Sequence, residues 1–271
     1  MAVTNGWGQG AVNNTIDWGK GKTTATNDWG KIYDSSASGD TSLGTAAAFS
    51  NTKSILLDGV DDFVDMGNVL DFEQTDAFSL SYWFKVSSAS AFYVVIGKSL
   101  TAGPGYMVWN QSSKINFRIR SAGGGQLRIT ANTSIVADTW THCVITYDGS
   151  SLNSGLEMYI NGALESALKQ SVMNSSSTLT TAHFNISGRN NGNSLFNGLI
   201  DECAVFNREL SASDVSTIYG TGVPNDISGL SPLAWYRCGD GDTSPTLTDN
   251  GSGGNNGTMT NFSTFSTDVP T

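Results

Sequence analysis

The feature that most constrains the fold is an apolar segment, residues 196–210, that contains two adjacent acids, Asp201 and Glu202. Its apolar residues predict a buried strand. A carboxylate inside such a strand costs free energy unless it is paired, hydrogen-bonded or bound to a metal ion. Asp201 therefore needs a partner elsewhere in the fold. The polar residues 211–215 that follow predict the start of a short helix.

Strand signals recur along most of the chain. Residues 78–86 carry apolar side chains at every second position, which is the pattern of a half-buried strand. Asn161-Gly162 is typical of a hairpin turn, and helical periodicity is confined to residues 211–219. Many short strands at near-regular spacing predict an all-β sandwich or jelly roll. The other strand-like runs are residues 55–59, 63–67, 92–97, 106–109, 115–120, 126–129, 140–149, 156–162 and 183–188.

Charge and composition argue against several classes of partner. The 271-residue chain has a formal net charge of −10, whereas nucleic acids and anionic membranes are bound by basic faces. No stretch approaches the roughly 18 apolar residues of a membrane span, and the N-terminus lacks the basic and apolar regions of a signal peptide. We expect no nucleic-acid partner, no membrane insertion, and synthesis in a cytoplasm without export by the usual route.

The chain contains three cysteines, Cys143, Cys203 and Cys238. An odd number without close spacing forms neither a disulfide framework nor a zinc site. We expect these residues to be buried, where a free cysteine behaves as a small apolar side chain.

Residues 1–50 differ from the rest of the sequence. Trp7, Trp18 and Trp29 are each followed by glycine and are spaced by eleven residues, with polar turn-forming runs between them. Such repeats have too little apolar surface to fold around a core of their own. We predict an arm that docks on a partner or mediates oligomerisation through the three tryptophans. Packing of the arm on its own domain and a tryptophan array that binds sugars remain alternatives.

Five segments, in this order, resemble the laminin-G-like, concanavalin A-like lectin domain family: residues 58–65, 78–86, 139–149, 158–162 and 196–210. The resemblance spans about residues 54–220 and implies a two-sheet antiparallel β-sandwich, a concanavalin A-like jelly roll, over residues 51–222. In that family the Asp-Glu pair precedes the last core strand.

The sequence departs from the family pattern at its C-terminal end. A tryptophan strand followed by a Gly/Asp turn usually opens the domain, but here it lies at residues 233–242, after the closing strand. We expect residues 223–271 to complete the same sandwich, because the ends of a domain often lie close together. The alternatives are pairing with a neighbouring subunit and the start of a truncated second module.

The arm and the tail also resemble structural proteins of marine tailed phages, in which laminin-G-like modules lie on the virion exterior. The resemblance implies a virion surface protein, assembled in the host cytoplasm: a head decoration or fibre, or a tail-associated module. Its partners would be other virion proteins or further copies of itself, with weak adhesion to host-surface glycans.

Calcium is the cofactor that the family resemblance implies. Asp201 lies where family members often supply a metal carboxylate, and the corner at residues 58–62 lies where they often add oxygen ligands, which calcium prefers. We predict that Asp61 and Asp201 meet in one site. The alternative is that Asp201 only accepts hydrogen bonds from backbone amides at a turn.

The sequence offers little support for catalysis. Asp201 and Glu202 are adjacent and would point to opposite faces of a strand, Glu157 and Glu165 are isolated, and His142 lies in a strand-like run. We expect a protein that is not an enzyme. A calcium-dependent lectin without a virion role is the second hypothesis and a glycosidase the third. No residue set defines a sugar site; the aromatic and amide candidates near loops are Tyr93, Tyr106, Trp109 and Asn110.

Overall fold

The computed structural model describes residues 49–189 and 194–271, together with four short strands nearer the N-terminus. The chain divides into two compact units, residues 1–49 and 50–271. In the first unit the strands β1 (Val3–Asn5), β2 (Val12–Asp17), β3 (Lys22–Thr26) and β4 (Ile32–Asp34) pair antiparallel in chain order.

These N-terminal strands were not predicted from the sequence. The second and third strands have the sequences VNNTID and KTTAT, and their valine and threonine residues favour extended backbone. Trp7, Trp18 and Trp29, the predicted docking residues, lie outside the described residues.

The second unit is built almost entirely from strands and has one α-helix, α1 (Ala212–Tyr219), in its described residues. In chain order its strands are β5 (Ser54–Asp58), β6 (Phe63–Asp65), β7 (Phe78–Val86), β8 (Tyr93–Ser99), β9 (Gly105–Gln111), β10 (Lys114–Arg120), β11 (Gln126–Thr130), β12 (Thr141–Tyr147), β13 (Leu156–Ile160), β14 (Ala163–Leu164), β15 (Leu168–Val172), β16 (Phe184–Ile186), β17 (Asn197–Phe206), β18 (Ala234–Tyr236), β19 (Thr246–Leu247), β20 (Gly257–Thr260) and β21 (Phe265–Ser266).

These strands form two antiparallel sheets. One has nine strands in the order β15-β11-β10-β9-β8-β16-β6-β20-β19. The other has the order β14-β13-β12-β7-β17-β5-β21, and β18 pairs with β17 as its eighth strand. A single apolar cluster joins the two sheets, with Phe78 and Tyr82 from one and Phe117 and Phe184 from the other. The predicted all-β, two-sheet sandwich is confirmed.

Several local predictions hold in detail. Strand β7 spans residues 78–86, as the alternating pattern predicts. Asn161 and Gly162 both have positive φ, 50° and 76°, and connect β13 to β14, as a primed hairpin turn requires. Helix α1 begins at a capping box in which Ser211 and Asp214 satisfy each other's backbone amides.

The C-terminal residues contribute strands to both sheets of the sandwich. Strand β18 pairs with β17, β20 with β6, and β21 with β5. Tyr236, Leu247 and Met259 from this segment are buried in the common core. Within the described residues, the segment is therefore part of the same folded unit.

The three cysteines are buried and free, which confirms the prediction that they are small apolar core residues. In the part of the chain that the structure describes, no helix has the length and apolar character needed to cross a bilayer.

Candidate functional site

An acidic corner follows strand β5 and is formed by Asp58, Asp61 and Asp62. One carboxylate oxygen of each can be chosen so that all three lie within 4.8 Å of one another. Asp58 Oδ1 already accepts hydrogen bonds from the amides of Val60 at 2.7 Å and Asp61 at 3.3 Å, and Asp62 Oδ2 accepts one from the Asp58 amide at 3.0 Å. The corner is therefore held in shape by its own backbone.

Electrostatics distinguish the members of this corner. Burial, followed by the charges of Asp58 and Asp61, raises the pKa of Asp62. The amide hydrogen bond from Val60 lowers the pKa of Asp58. A cluster of carboxylate oxygens is the donor set that calcium takes, completed by water. The residues present fit such an ion.

The structure places Asp201 away from this corner. Asp58 pairs with Asn197 across β5 and β17, and Asp201 lies four residues further along β17, a distance of about 13 Å at the usual rise per residue. Both Asp201 oxygens are occupied, since Oδ2 accepts from Asn51 Nδ2 and Oδ1 from the Glu202 amide, each at 2.8 Å. The expected meeting of Asp61 with Asp201 is not found in the structure.

The two adjacent acids lie at a β-bulge. The pairing of β17 with β7 shifts between Asp201 and Ala204, and Glu202 has a φ of 46°. A bulge interrupts the alternation of side chains, so the opposite-face argument against a carboxylate pair does not apply here. Burial and then the charge of Glu202 raise the pKa of Asp201 well above its ordinary value.

The partners of Glu202 come from the C-terminal segment. Trp235 Nε1 donates to Glu202 Oε2 at 2.5 Å, and Arg237 Nε donates to Oε1 at 3.2 Å. Asp240 lies 3.6 Å from Arg237 and accepts the Thr52 amide at 2.8 Å. Asp201 and Glu202 are both buried and fully engaged, so they serve the fold and are out of reach of a substrate.

His142 is a structural residue. Its ring lies 4.8 Å from that of Trp83 and 5.7 Å from that of Tyr219, and its Nε2 lies 3.0 Å from Ser81 Oγ. The side chain is fully buried, which lowers its pKa to about 3. Among the described residues no carboxylate contacts its Nδ1, so the histidine lacks the third group that orients a catalytic base.

The isolated acids and the proposed sugar residues mostly support the fold. Glu165 accepts hydrogen bonds from the Asn132 and Thr133 amides at 2.8 and 2.9 Å, and Glu157 accepts one from the Tyr159 hydroxyl at 2.9 Å. Tyr106 is buried and bonds to the Leu70 carbonyl.

The remaining sugar candidates behave similarly. Asn110 is buried and donates to the carbonyls of Ala89 and Ala91. Tyr93 packs edge-on against Phe196, with ring centroids 5.8 Å apart. Trp109, which is 5% exposed, lies on the outer face of the nine-stranded sheet under an arginine.

This outer face carries a cluster that sequence reasoning missed, which we call the arginine face: Arg118, Arg120, Arg128 and Arg189. Arg118 pairs directly with Arg128 across β10 and β11, and like charges in that position destabilise a sheet. Arg118 and Arg120 are two residues apart on β10 and therefore point to the same side of the sheet. All four side chains are partly exposed.

Among the described residues, no carboxylate neutralises the arginine face. Within residues 49–189 and 194–271, the ion pairs formed by arginine involve Arg208 and Arg237 and none of these four. Burial, followed by the charges of Arg120, Arg189 and Arg128, lowers the pKa of Arg118 to about 10. The cluster therefore concentrates positive charge on a chain whose net charge is −10.

Several guanidinium nitrogens of this face lack a hydrogen-bond partner although they are buried: Nε and Nη2 of Arg118 and Nε of Arg120, Arg128 and Arg189. An unsatisfied buried donor costs about 1–3 kcal/mol, and such a group in a native structure calls for a water, an ion or a ligand. These nitrogens can therefore donate to acceptor atoms of water, an ion or a ligand.

Apolar rings and a pocket border the guanidinium groups. Arg128 Cζ lies 5.0 Å from the centroid of the Trp109 ring, and Arg189 Cζ lies 5.5 Å from that of Phe92. Arg128 Nη2 also donates to Asn116 Oδ1 at 2.7 Å. A pocket of about 370 Å³ lies beside the cluster and is lined by Gly124, Gln126, Gln170 and Val172.

A sequence signal for this cluster does exist. In KINFRIR and QLRIT the arginines alternate with isoleucine or leucine, so residues 118, 120 and 128 each lie opposite the core side of their strand. The pairing of the two strands, which brings the three together, is decided only by the folded sheet.

The fold and its faces define an all-β sandwich of the lectin type. Residues 58–216, more than half of the chain, match the concanavalin A-like lectin/glucanases superfamily. The chain belongs to this superfamily, which confirms the family resemblance drawn from the sequence. No curated protein matches it.

Several solved structures are similar to this chain at low sequence identity. A candidate carbohydrate-binding protein from Bacteroides ovatus is 15% identical, with a TM-score of 0.61, and the match covers 92% of this chain and 69% of that one. A heptameric SAP-like pentraxin from Limulus polyphemus is 12% identical, with a TM-score of 0.46 and coverage of 63% and 82%. The binding domain of botulinum neurotoxin serotype G is 18% identical, with a TM-score of 0.45 and coverage of 74% and 51%.

The buried acids predict an unusual pH dependence of stability. Burial, above all, raises the pKa of Glu202 to about 7 from 4.5. The folded state then holds a proton that the unfolded chain releases above pH 4.5, so the free energy of unfolding decreases as pH rises from about 4.5 to 7. We expect Glu202→Gln to reduce this decrease by on the order of 3 kcal/mol, measured by urea denaturation at pH 5 and 7.5.

Asp214→Asn is the matched control for this experiment. The hydrogen bond from Arg208, above all, lowers the pKa of Asp214 to about 2. Its contribution to stability is lost only as pH falls below about 4, so the slope between pH 5 and 7.5 should stay as in the wild type. Equal slopes for the wild type and Glu202→Gln would contradict the assignment.

Proposed function

We propose that this chain is a non-catalytic glycan-binding protein on the surface of a phage virion. The observation that carries glycan binding is the arginine face with its neighbouring pocket, on a sandwich of the concanavalin A-like superfamily. Unsatisfied planar donors beside glutamine side chains suit a ligand rich in oxygen acceptors. The likeness to a candidate carbohydrate-binding protein agrees with this proposal.

The lack of catalysis is part of the same proposal. A glycosidase needs two carboxyl groups roughly 5–10 Å apart that reach the glycosidic bond. Asp201 and Glu202 are buried under the C-terminal segment and hydrogen-bonded. The other candidate acids, Glu157 and Glu165, are partly buried and hydrogen-bonded to neighbouring residues.

Binding and turnover are separable by experiment. We expect full-length protein to bind immobilised polysaccharides of bacterial surfaces. It should release no reducing ends from them, because Asp201 and Glu202 are buried and cannot contact the polysaccharide. Glycan-array binding and a reducing-end assay on the same saccharides measure the two. A blank array would contradict glycan binding, and release that Asp201→Asn abolishes would favour a glycosidase.

The virion role rests on the resemblance of the arm and tail to structural proteins of marine tailed phages. We propose a head decoration or fibre, or a tail-associated module, that assembles in the host cytoplasm. The arm would attach the protein to other virion proteins or to further copies of itself, with Trp7, Trp18 and Trp29 burying apolar area against the partner.

Deleting the arm tests this attachment. The core of residues 50–271 draws on side chains from within that unit, so a variant lacking residues 1–49 should remain folded. We expect full-length protein to form a defined oligomer or to coat purified phage particles, and Trp18→Ala and the deletion to lose this property. Mass measurement and negative-stain microscopy report the outcome. Identical monomers in all cases would contradict an assembly role and favour a soluble lectin.

Calcium-dependent binding without a virion role is the second candidate function, and the acidic corner favours it. We propose that Asp58, Asp61 and Asp62 hold calcium through oxygens not used by the corner's backbone hydrogen bonds. Asp201, which is bonded elsewhere, takes no part. Bound calcium would neutralise the three carboxylates and so hold the loop after β5 in place. The protein's own side chains would still make the glycan contacts.

A thermal shift measurement tests the calcium site. At a calcium concentration about 100 times Kd, an ion that binds only the folded state stabilises it by about 2.7 kcal/mol. We expect calcium to raise the Tm of the wild type and of Asp76→Asn, an exposed turn aspartate, and to leave Asp61→Asn unchanged. Equal calcium responses in the two variants would contradict a site at the corner.

A further inference from the structure

We infer that the ligand of the arginine face is an anionic saccharide, one that carries carboxylate or sulfate groups along its chain. This inference rests on the proposed glycan binding and deepens it. Four of the chain's 14 basic residues lie on this one face, and the described residues provide no acid to pair with them.

The free protein maintains this cluster at a cost. Arg118 lies directly opposite Arg128 in the sheet, and the two guanidinium charges repel each other. Uncharged polar residues would be sufficient to keep this face soluble. The repulsion ends when a negative group lies between the two side chains, so the arrangement favours an anion over a neutral sugar.

The unsatisfied nitrogens match the geometry of that anion. Arg118 leaves Nε and Nη2 without partners, and these two nitrogens form one edge of the guanidinium fork. That edge is buried in the free protein, so an anion would bind it in a bidentate manner, with two parallel hydrogen bonds, once the side chain turns outward. Arg128 places its Nη2 on Asn116, and its Nε is buried without a partner.

The arginine side chains extend over an area of the sheet and not over a single position. Arg118 and Arg120 are separated by about 7 Å along β10, and β11 with Arg128 lies about 4.8 Å to the side. Gln126 and Gln170 line the pocket beside this area, where amide groups can bind hydroxyls. Several charged groups with neutral polar groups beside them suit a chain of sugar units that bears repeated anionic substituents.

A nucleic acid fits this face less well. The chain's net charge of −10 repels a long polyanion at a distance. Single strands are usually bound by stacking bases on exposed aromatic rings, but Trp109 is buried beneath Arg128. An anionic oligosaccharide needs no exposed ring for base stacking, and its few charges are repelled less than those of a long polyanion.

The test compares ligands that differ only in charge. The probes are an oligogalacturonate and its neutral methyl ester, and a chondroitin sulfate oligosaccharide and its desulfated form, each titrated into the full-length protein by calorimetry. We expect at least tenfold tighter binding of a charged probe than of its less charged counterpart, with affinity falling as salt rises from 50 to 300 mM. Weaker binding after methyl esterification would identify carboxylate as the group recognised, and weaker binding after desulfation would identify sulfate.

Variants assign the effect to the arginine face. We expect Arg118→Gln and Arg128→Gln each to weaken binding of the charged probe at least fivefold, and Arg118→Lys, which keeps the charge but not the fork, to fall between. Arg208→Gln is the matched control, because Arg208 pairs with Asp214 at the start of the helix. The two glutamine variants at the arginine face should melt at the wild-type temperature or above, since they remove like-charge repulsion.

Four results would overturn the inference. Equal affinity for charged and neutral probes would make glycan binding independent of charge. Wild-type affinity in both arginine variants would place glycan binding elsewhere on the protein. Binding of a single-stranded oligonucleotide as tight as that of the saccharide would show a general polyanion site. Failure of every saccharide, charged and neutral, would overturn the proposed function together with this inference.

Discussion

The sandwich depends on how one strand keeps two adjacent acids inside it. Glu202 is buried between the indole of Trp235 and the guanidinium of Arg237, and Asp201 is held by Asn51 and by the next backbone amide. Removing one partner of a buried charge leaves the other uncompensated and costs several kcal/mol. The C-terminal segment therefore supplies more than strands, because it carries the cation and the indole that make the bulge in β17 tolerable.

The charged residues of the nine-stranded sheet differ from the buried acids of β17. On the outer face of this sheet, four arginines approach one another without an acid among the described residues, and several of their nitrogens lack partners. Partial exposure keeps the repulsion modest, since water screens charges at a surface. The buried acids of β17 have their partners within the fold, whereas the arginine face is left for a ligand. We therefore assign the proposed function to the arginine face.

Local sequence patterns predicted many individual elements correctly, and their failures have physical causes. Alternation defined β7, and the helix start at residues 211–215 and the turn at Asn161-Gly162 formed as expected, because each depends on residues close in sequence. The pairing of Asp61 with Asp201 was not seen, since it depended on the register of β5 with β17. Tyr106 and Asn110, candidates for sugar contact, proved to be buried supports.

By itself, the sequence determined most strands of the sandwich and the need of Asp201 for a partner, because these follow from side-chain periodicity and from the cost of a buried charge. The family was indicated by the resemblance of five segments to the lectin domain family. The tertiary structure decided which residues became neighbours: Arg237 beside Glu202 across 35 positions, and Arg118 opposite Arg128. Antiparallel pairing fixes such neighbours by register, and a shift of one residue would turn every side chain to the other face. That register is a property of the whole sheet, which no local stretch of the chain contains.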